Sequence, residues 1–199
     1  MSRHVDLERK PRLLAQVVDV MLDVPLYAMT FRSVAERLDV SPFTLVYHFG
    51  TKDELVSEVV DAVCGEQLTA LEKADLGSTS VDAYLDGVKR YWDWSMLPRT
   101  CQLQRLVFEA AMTESLRAEH EAVTRRALLE WHALASAGLL ALGVPGELAS
   151  AESRAIADVM HGLQYDLIVT NNTERANVAF ESAIAGLRVR ILEIISAAN

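Results

Sequence analysis

The chain has 199 residues, 51% of them hydrophobic, enough apolar material for one large domain or two small ones sharing a core. Its formal net charge of −9 argues mildly against nucleic acid, but residues 1–55 carry seven Lys/Arg against eight Asp/Glu, so most of the excess acid lies further on. Two cysteines without a C-x-x-C, an N-terminus without an apolar core and no uncharged run of membrane-spanning length argue against a disulfide framework, a zinc site, a secretory signal and a membrane span. A soluble cytoplasmic protein is expected.

No β-type alternation persists, and the apolar spacing predicts an all-α fold of about nine helices. The first opens near Pro11, which belongs in its first turn, and turns Leu13, Leu14, Val17, Val18 and Met21 inward before Pro25. Phe31, Val34, Ala35 and Leu38 follow at i, i+3, i+4 and i+7, one face of a second short helix. Asp39-Val40 interrupts it. Ser41 then offers its hydroxyl to the free N–H groups of a third helix, and Pro42 sits where its missing N–H does no harm. Two short helices about four residues apart are the layout of a helix-turn-helix, whose second helix enters the DNA major groove.

Thr51 is placed to cap a fourth helix, with Asp53 and Glu54 suiting the positive end of its dipole. The break in composition at Leu76-Gly77-Ser78 divides the chain. Residues 1–55 are expected to form an N-terminal three-helix helix-turn-helix domain, helix four to about residue 74 a connector, and 76–199 a larger helical domain, which the family resemblance given below implies is a ligand-binding and dimerisation domain. In the latter, Ser80 opens a helix carrying Val81, Tyr84, Leu85, Val88 and Trp92 on one stripe, and Pro98 starts another carrying Leu103, Leu106, Val107 and Ala110. A long helix is expected over about 114–142, with Leu116, Val123, Ala127, Trp131 and Leu134 inward, stopped by Gly143-Val144-Pro145-Gly146. Two last helices cover about 147–169 and 173–197, separated by Asn171-Asn172.

Between residues 30 and 55 the chain resembles the tetracycline-repressor (TetR) family of transcriptional regulators. The residues that carry the resemblance are Thr30, Val34-Ala35, Val40-Ser41, Thr44-Leu45-Val46, His48-Phe49 and Lys52-Asp53-Glu54-Leu55. Val46 stands where the family usually has Tyr, and Phe43 where Gly or Ala is common. The resemblance implies a dimer that binds a palindromic double-stranded DNA operator, a ligand cavity among helices four to eight, and a four-helix dimer interface from the last two helices.

The residue chemistry supports DNA contacts. Thr30 offers a hydroxyl and a helix N-terminus to a phosphate, and Arg32 adds charge. Pro42, Phe43 and Thr44 open the expected recognition helix, the part that reaches base edges. There Phe43 suits a thymine methyl, while Thr44 and Tyr47 supply hydroxyls. With Val46 in place of Tyr, the sugar-phosphate grip falls to Tyr47 and His48, and Lys52 is placed to meet the backbone. Arg9, Lys10 and Arg12 are candidates for the same local basic rim.

For a small, largely apolar effector the candidate lining is Tyr84, Trp92, Phe108, Met112, Trp131, Met160 and Tyr165, with His132, His161 and Asp166 as polar orienters. Large aromatics at helical spacing are more often plain core. For the homodimer, Ala151, Ala155 and Gly162 form one small-residue stripe; Ala179, Ser182, Ala183 and Gly186 form another, continued by Leu187, Ile191 and Ile194. Asp158-x-x-His161 lacks the second pair a carboxylate-bridged bundle needs, and no nucleophile motif appears, so neither metal, cofactor nor enzyme is expected. The alternative to a regulator, most naturally a repressor, is a helical sensor or adaptor of the same fold without sequence-specific DNA binding.

Overall fold

The computed structural model describes residues 9–77, 80–116 and 122–198. Among them are nine α-helices and no strand: α1 (Arg9–Met21), α2 (Phe31–Arg37), α3 (Pro42–Phe49), α4 (Lys52–Lys73), α5 (Val81–Ser95), α6 (Pro98–Glu114), α7 (Val123–Ala141), α8 (Gly146–Thr170) and α9 (Thr173–Ala198), with a 3-10 turn at Leu26–Ala28. The chain is all-α, as the spacing predicts. No helix among the described residues is long and apolar enough to cross a membrane, and neither Cys64 nor Cys101 is in a disulfide.

The chain forms two compact units, Met1–Cys64 with Leu106–Thr124, and Gly65–Arg105 with Arg125–Asn199. In the first, Leu13, Val17, Val18 and Met21 of α1 are buried, as are Val34 and Ala35 of α2, Leu45 and Phe49 of α3, and Leu55 and Val59 of α4. An ion pair from Lys10 to Glu58 at 2.7 Å ties α1 to α4, and the same ammonium lies 5.5 Å from the Phe49 ring centre. Lys10 is therefore engaged inside the unit rather than held out as part of a basic rim.

In the second unit Tyr84, Trp92, Leu139, Met160, Phe180, Leu187 and Ile191 share one core. The link after α4 lies in a niche between α5 and α7. A Cβ on Gly87 would stand 2.8 Å from the Ala74 carbonyl, and one on Gly138 would run into the Leu76 carbonyl and stand 2.8 Å from the Tyr84 ring. Arg90 closes the niche by donating to the Ala74 carbonyl at 2.6 Å. Both glycines are there because nothing larger fits.

Three expectations change. The helix expected over 114–142 is two helices: α6 ends at Glu114 and α7 begins at Val123, while 117–121 lie outside the described residues. The Glu114 carboxylate accepts from the Thr124 backbone N–H at 3.2 Å and from its hydroxyl, so it satisfies the first turn of a new helix. Leu116, expected inward, is 88% exposed in the turn after α6. Leu134 is exposed too, because Trp131, Ala135, Gly138 and Leu139 take the inner face of α7. On α9, Leu187 and Ile191 are fully buried in the chain's own core. The outward stripe lies beside them, at Val178, Ser182, Ala185, Val189 and Leu192.

Candidate nucleic-acid interface

Each helix of the N-terminal bihelical element begins on a side-chain cap. The Thr30 hydroxyl oxygen accepts the Ser33 N–H at 3.1 Å while the Ser33 hydroxyl oxygen accepts the Thr30 N–H at 3.2 Å, a reciprocal box at the start of α2. Asp39, at φ +52°, reverses the chain, a left-handed conformation that Asp tolerates better than most residues. The Ser41 hydroxyl oxygen accepts the Thr44 N–H at 3.1 Å and so starts α3, with Pro42 in its first turn. Gly50, at φ +73°, ends α3, and Thr51 opens α4 through a second box with Glu54. The Thr51 backbone N–H and hydroxyl both bind the Glu54 carboxylate, which holds its pKa below the ordinary value.

These caps decide which way α3 faces. Leu45 and Phe49 turn inward; Pro42, Phe43, Val46 and Tyr47 turn outward at helical spacing, with Phe43 73% and Tyr47 74% exposed. Thr44 is half-buried, its hydroxyl 2.8 Å from that of Ser41. His48 is half-buried with its ring edge-on to Tyr47, centres 5.1 Å apart. Thr30 and Arg32 are exposed at the start of α2, and Lys52 at the start of α4. The Lys52 ammonium donates to the Tyr27 carbonyl at 3.3 Å. The eight expected DNA-contact residues thus stand at the beginnings of three helices or along α3, and Phe43, Val46 and Tyr47 leave an exposed apolar and aromatic surface on α3. Tyr27, two residues after Pro25, is a further exposed aromatic of this unit at 84%.

The expected effector residues fall in different places. Tyr84 is fully buried and donates its hydroxyl to the Ala135 carbonyl at 3.2 Å, and burial pushes its pKa up. Trp92 is buried, stacked on Phe180 with ring centres 4.5 Å apart, and donates to Asn177 Oδ1 at 2.8 Å. Met160 is buried in the same core. Tyr165 is exposed, Met112 is exposed in the first unit, and Phe108, also in the first unit, is half-buried. Trp131 differs from the others. It is buried with its indole N–H unpartnered, and both ring nitrogens of the neighbouring His132 and the side-chain carbonyl of Gln164 are likewise buried without a partner. The Trp131 ring lies 6.3 Å from that of His161. Burial lowers the pKa of both histidines; Arg154 lowers His132 further, while Asp158 acts in the opposite sense on each. No group of three His, Cys, Asp or Glu among the described residues is placed to hold a metal, and Asp158 lies 3.8 Å from Arg154.

Residues 13–59, which include both caps and the whole of α3, match the family model for bacterial regulatory proteins of the tetR family. The likeness to the tetR family in sequence lies in this N-terminal segment. TetR-type folds also match it along nearly its whole length. A TetR-family transcriptional regulator from Pectobacterium atrosepticum is 18% identical, covering 98% of this chain and 97% of that one with a TM-score of 0.65. The multidrug binding protein EbrR, solved with imidazole, is 21% identical over 94% and 93% of the two chains, with a TM-score of 0.66. BioQ, solved with its double-stranded DNA operator, is 17% identical over 90% and 98%, with a TM-score of 0.56. At these identities the likeness is one of fold. No curated protein matches the chain significantly in sequence. The matched segment takes in α2, the Asp39 turn and α3, which together form a helix-turn-helix.

Proposed function

We propose that this chain is a TetR-family, ligand-responsive transcriptional repressor that binds a palindromic operator as a homodimer through α8 and α9. The observation that carries the DNA reading is the outward face of α3. An eight-residue helix buries two of its residues and leaves Phe43, Val46 and Tyr47 in water, an apolar exposure that only a partner makes favourable. A base-edge and sugar surface in the major groove is such a partner, with Phe43 against a thymine methyl and Tyr47 and His48 along the sugar-phosphate. Thr30, Arg32 and Lys52 then serve phosphates, and BioQ, of the same fold, is a protein that binds operator DNA.

A half-site reader needs its copy about one helical turn of DNA away, about 34–36 Å. The exposed stripes support that assembly: Leu148, Ala151, Ala155, Val159 and Gly162 on α8, and Val178, Ala185, Val189 and Leu192 on α9. Against a second copy they bury a continuous apolar seam, the isologous contact a two-fold dimer requires. For the effector, the supporting observation is the set of buried, unpartnered polar atoms on Trp131, His132 and Gln164, since such groups are costly unless something bonds them. To weaken operator affinity a hundredfold an effector must discriminate the two conformations by about 2.7 kcal/mol, an ordinary coupling.

Selection of binding sites from random duplexes, followed by gel shift at two salt concentrations, tests the reading. A palindromic motif bound with a steep salt dependence is expected. A stable dimer that enriches no motif would replace the regulator with the non-binding sensor of the same fold.

A further inference from the structure

From Pro42 to Phe49, α3 reads PFTLVYHF and holds no Arg, Lys, Asn, Gln, Asp or Glu. Those side chains make the hydrogen bonds that single out guanine, adenine and cytosine at their major-groove edges. The polar groups α3 does carry are poorly suited to that task. Thr44 is half-buried with its hydroxyl 2.8 Å from that of Ser41, and the half-buried His48 ring stands edge-on to Tyr47. The Tyr47 hydroxyl is exposed, but a hydroxyl both donates and accepts, so it bonds any base edge.

The rest of the outward face is apolar. Phe43 and Val46, 73% and 43% exposed, stand three residues apart on it. Of the groups that the four bases present in the major groove, the C5 methyl of thymine is the apolar one. Covering it takes apolar surface out of water on both partners. Side chains three apart on a helix have Cβ atoms about 5–6 Å from each other, while successive base pairs lie about 3.4 Å apart along the duplex. A long ring and a short branched chain at that spacing reach neighbouring base pairs rather than a single one.

We propose that α3 reads its half-site through C5 methyl groups, Phe43 and Val46 covering those of pyrimidines in two successive base pairs. The assignment rests on the operator reading of α3 and adds the chemical group recognised. It has a consequence for modified DNA. 5-Methylcytosine carries its methyl group on the same ring carbon as thymine and differs at position 4, where it has an amino group instead of a carbonyl. With no acidic or basic side chain on α3 to read position 4, the methyl group decides. Methylation of a cytosine facing Phe43 or Val46 therefore strengthens binding.

The full chain and the operator it selects from random duplexes test this by fluorescence anisotropy, with each thymine replaced in turn by deoxyuridine, which lacks only the methyl group. Losses of at least about fourfold per methyl, and at least about fifteenfold when both half-sites carry the change, are expected at two neighbouring base pairs. At the same positions 5-methylcytosine should bind at least about fourfold more tightly than cytosine. Phe43→Ala should erase the preference for thymine over deoxyuridine at one of the two positions, and Val46→Ala at the other. Both side chains are exposed, so circular dichroism of the two variants should match that of the parent. A selected half-site without two successive A·T pairs, equal binding of thymine and deoxyuridine throughout, or an unchanged preference in both variants would overturn the proposal. A chain that selects no motif loses the operator reading and the methyl contacts with it. One that selects a motif but ignores the methyl groups keeps the operator reading and loses only the contacts.

Discussion

Helices α3 and α5 use the same kinds of side chain for opposite ends. On α3, Phe43 and Tyr47 are about three-quarters exposed; on α5, Tyr84 and Trp92 are fully buried, with the hydroxyl and indole N–H each bonded inside the unit. The difference comes from what is available to cover them. α3 is eight residues long and spends Leu45 and Phe49 on its own domain, so its other face stays in water. α5 is fifteen residues long, and α7 and α9 supply Ala135, Asn177 and Phe180 to meet its aromatic stripe. An aromatic residue signals recognition only when its polar and apolar needs go unmet inside the chain. Trp131 lies between the two cases, with its ring covered and its N–H not.

The largest expected effect that would break this contrast is on stability. Trp92→Ala should cost about 3–5 kcal/mol in urea unfolding, whereas Tyr47→Ala should stay within about 0.5 kcal/mol. Comparable losses from the two would mean that α3's outer face is structural. Next, Gly138→Ala should cost about 1–3 kcal/mol, because its methyl group overlaps the Leu76 carbonyl and the Tyr84 ring; a neutral result would show that the niche beside α5 is slack. On the α3 side, Phe43→Ala should change operator preference by about 1–3 kcal/mol at one base step. Lys52→Ala should weaken every sequence about equally and lower the salt slope by about one. Identical selection profiles for the two variants would refute this division of roles.

The smallest expected effect concerns acid. His132 and His161 have lowered pKa values in the folded chain, so between those values and the ordinary one near 6.5 the unfolded state binds more protons. Stability is then fully present above about pH 6.5 and falls as the pH drops below it. Denaturation midpoints from pH 7.5 to 5 should show the loss, and His161→Asn should flatten it. A midpoint independent of pH would mean that water already solvates these rings.

The helix-turn-helix was legible from residues alone because its signals are local. Thr30, Ser41 and Thr51 act on N–H groups within three residues of themselves, and the outer position of Phe43 and Tyr47 follows from the inward phase of Leu45 and Phe49. The helices of the second unit were legible for the same reason, from Ser80, Pro98 and the pair Asn171-Asn172. What only the tertiary structure decided depends on partners far along the chain. Glu114 reaches ten residues ahead to cap α7 and so divides a helix that apolar spacing alone would continue. The outward stripe of α9 is Val178, Val189 and Leu192 rather than Leu187 and Ile191, since the core of its own unit claims the latter pair. Which aromatics are satisfied and which, like Trp131, keep an unpartnered donor is fixed by contacts between α5, α7, α8 and α9. Helical periodicity states that a face is apolar; it cannot state what covers it.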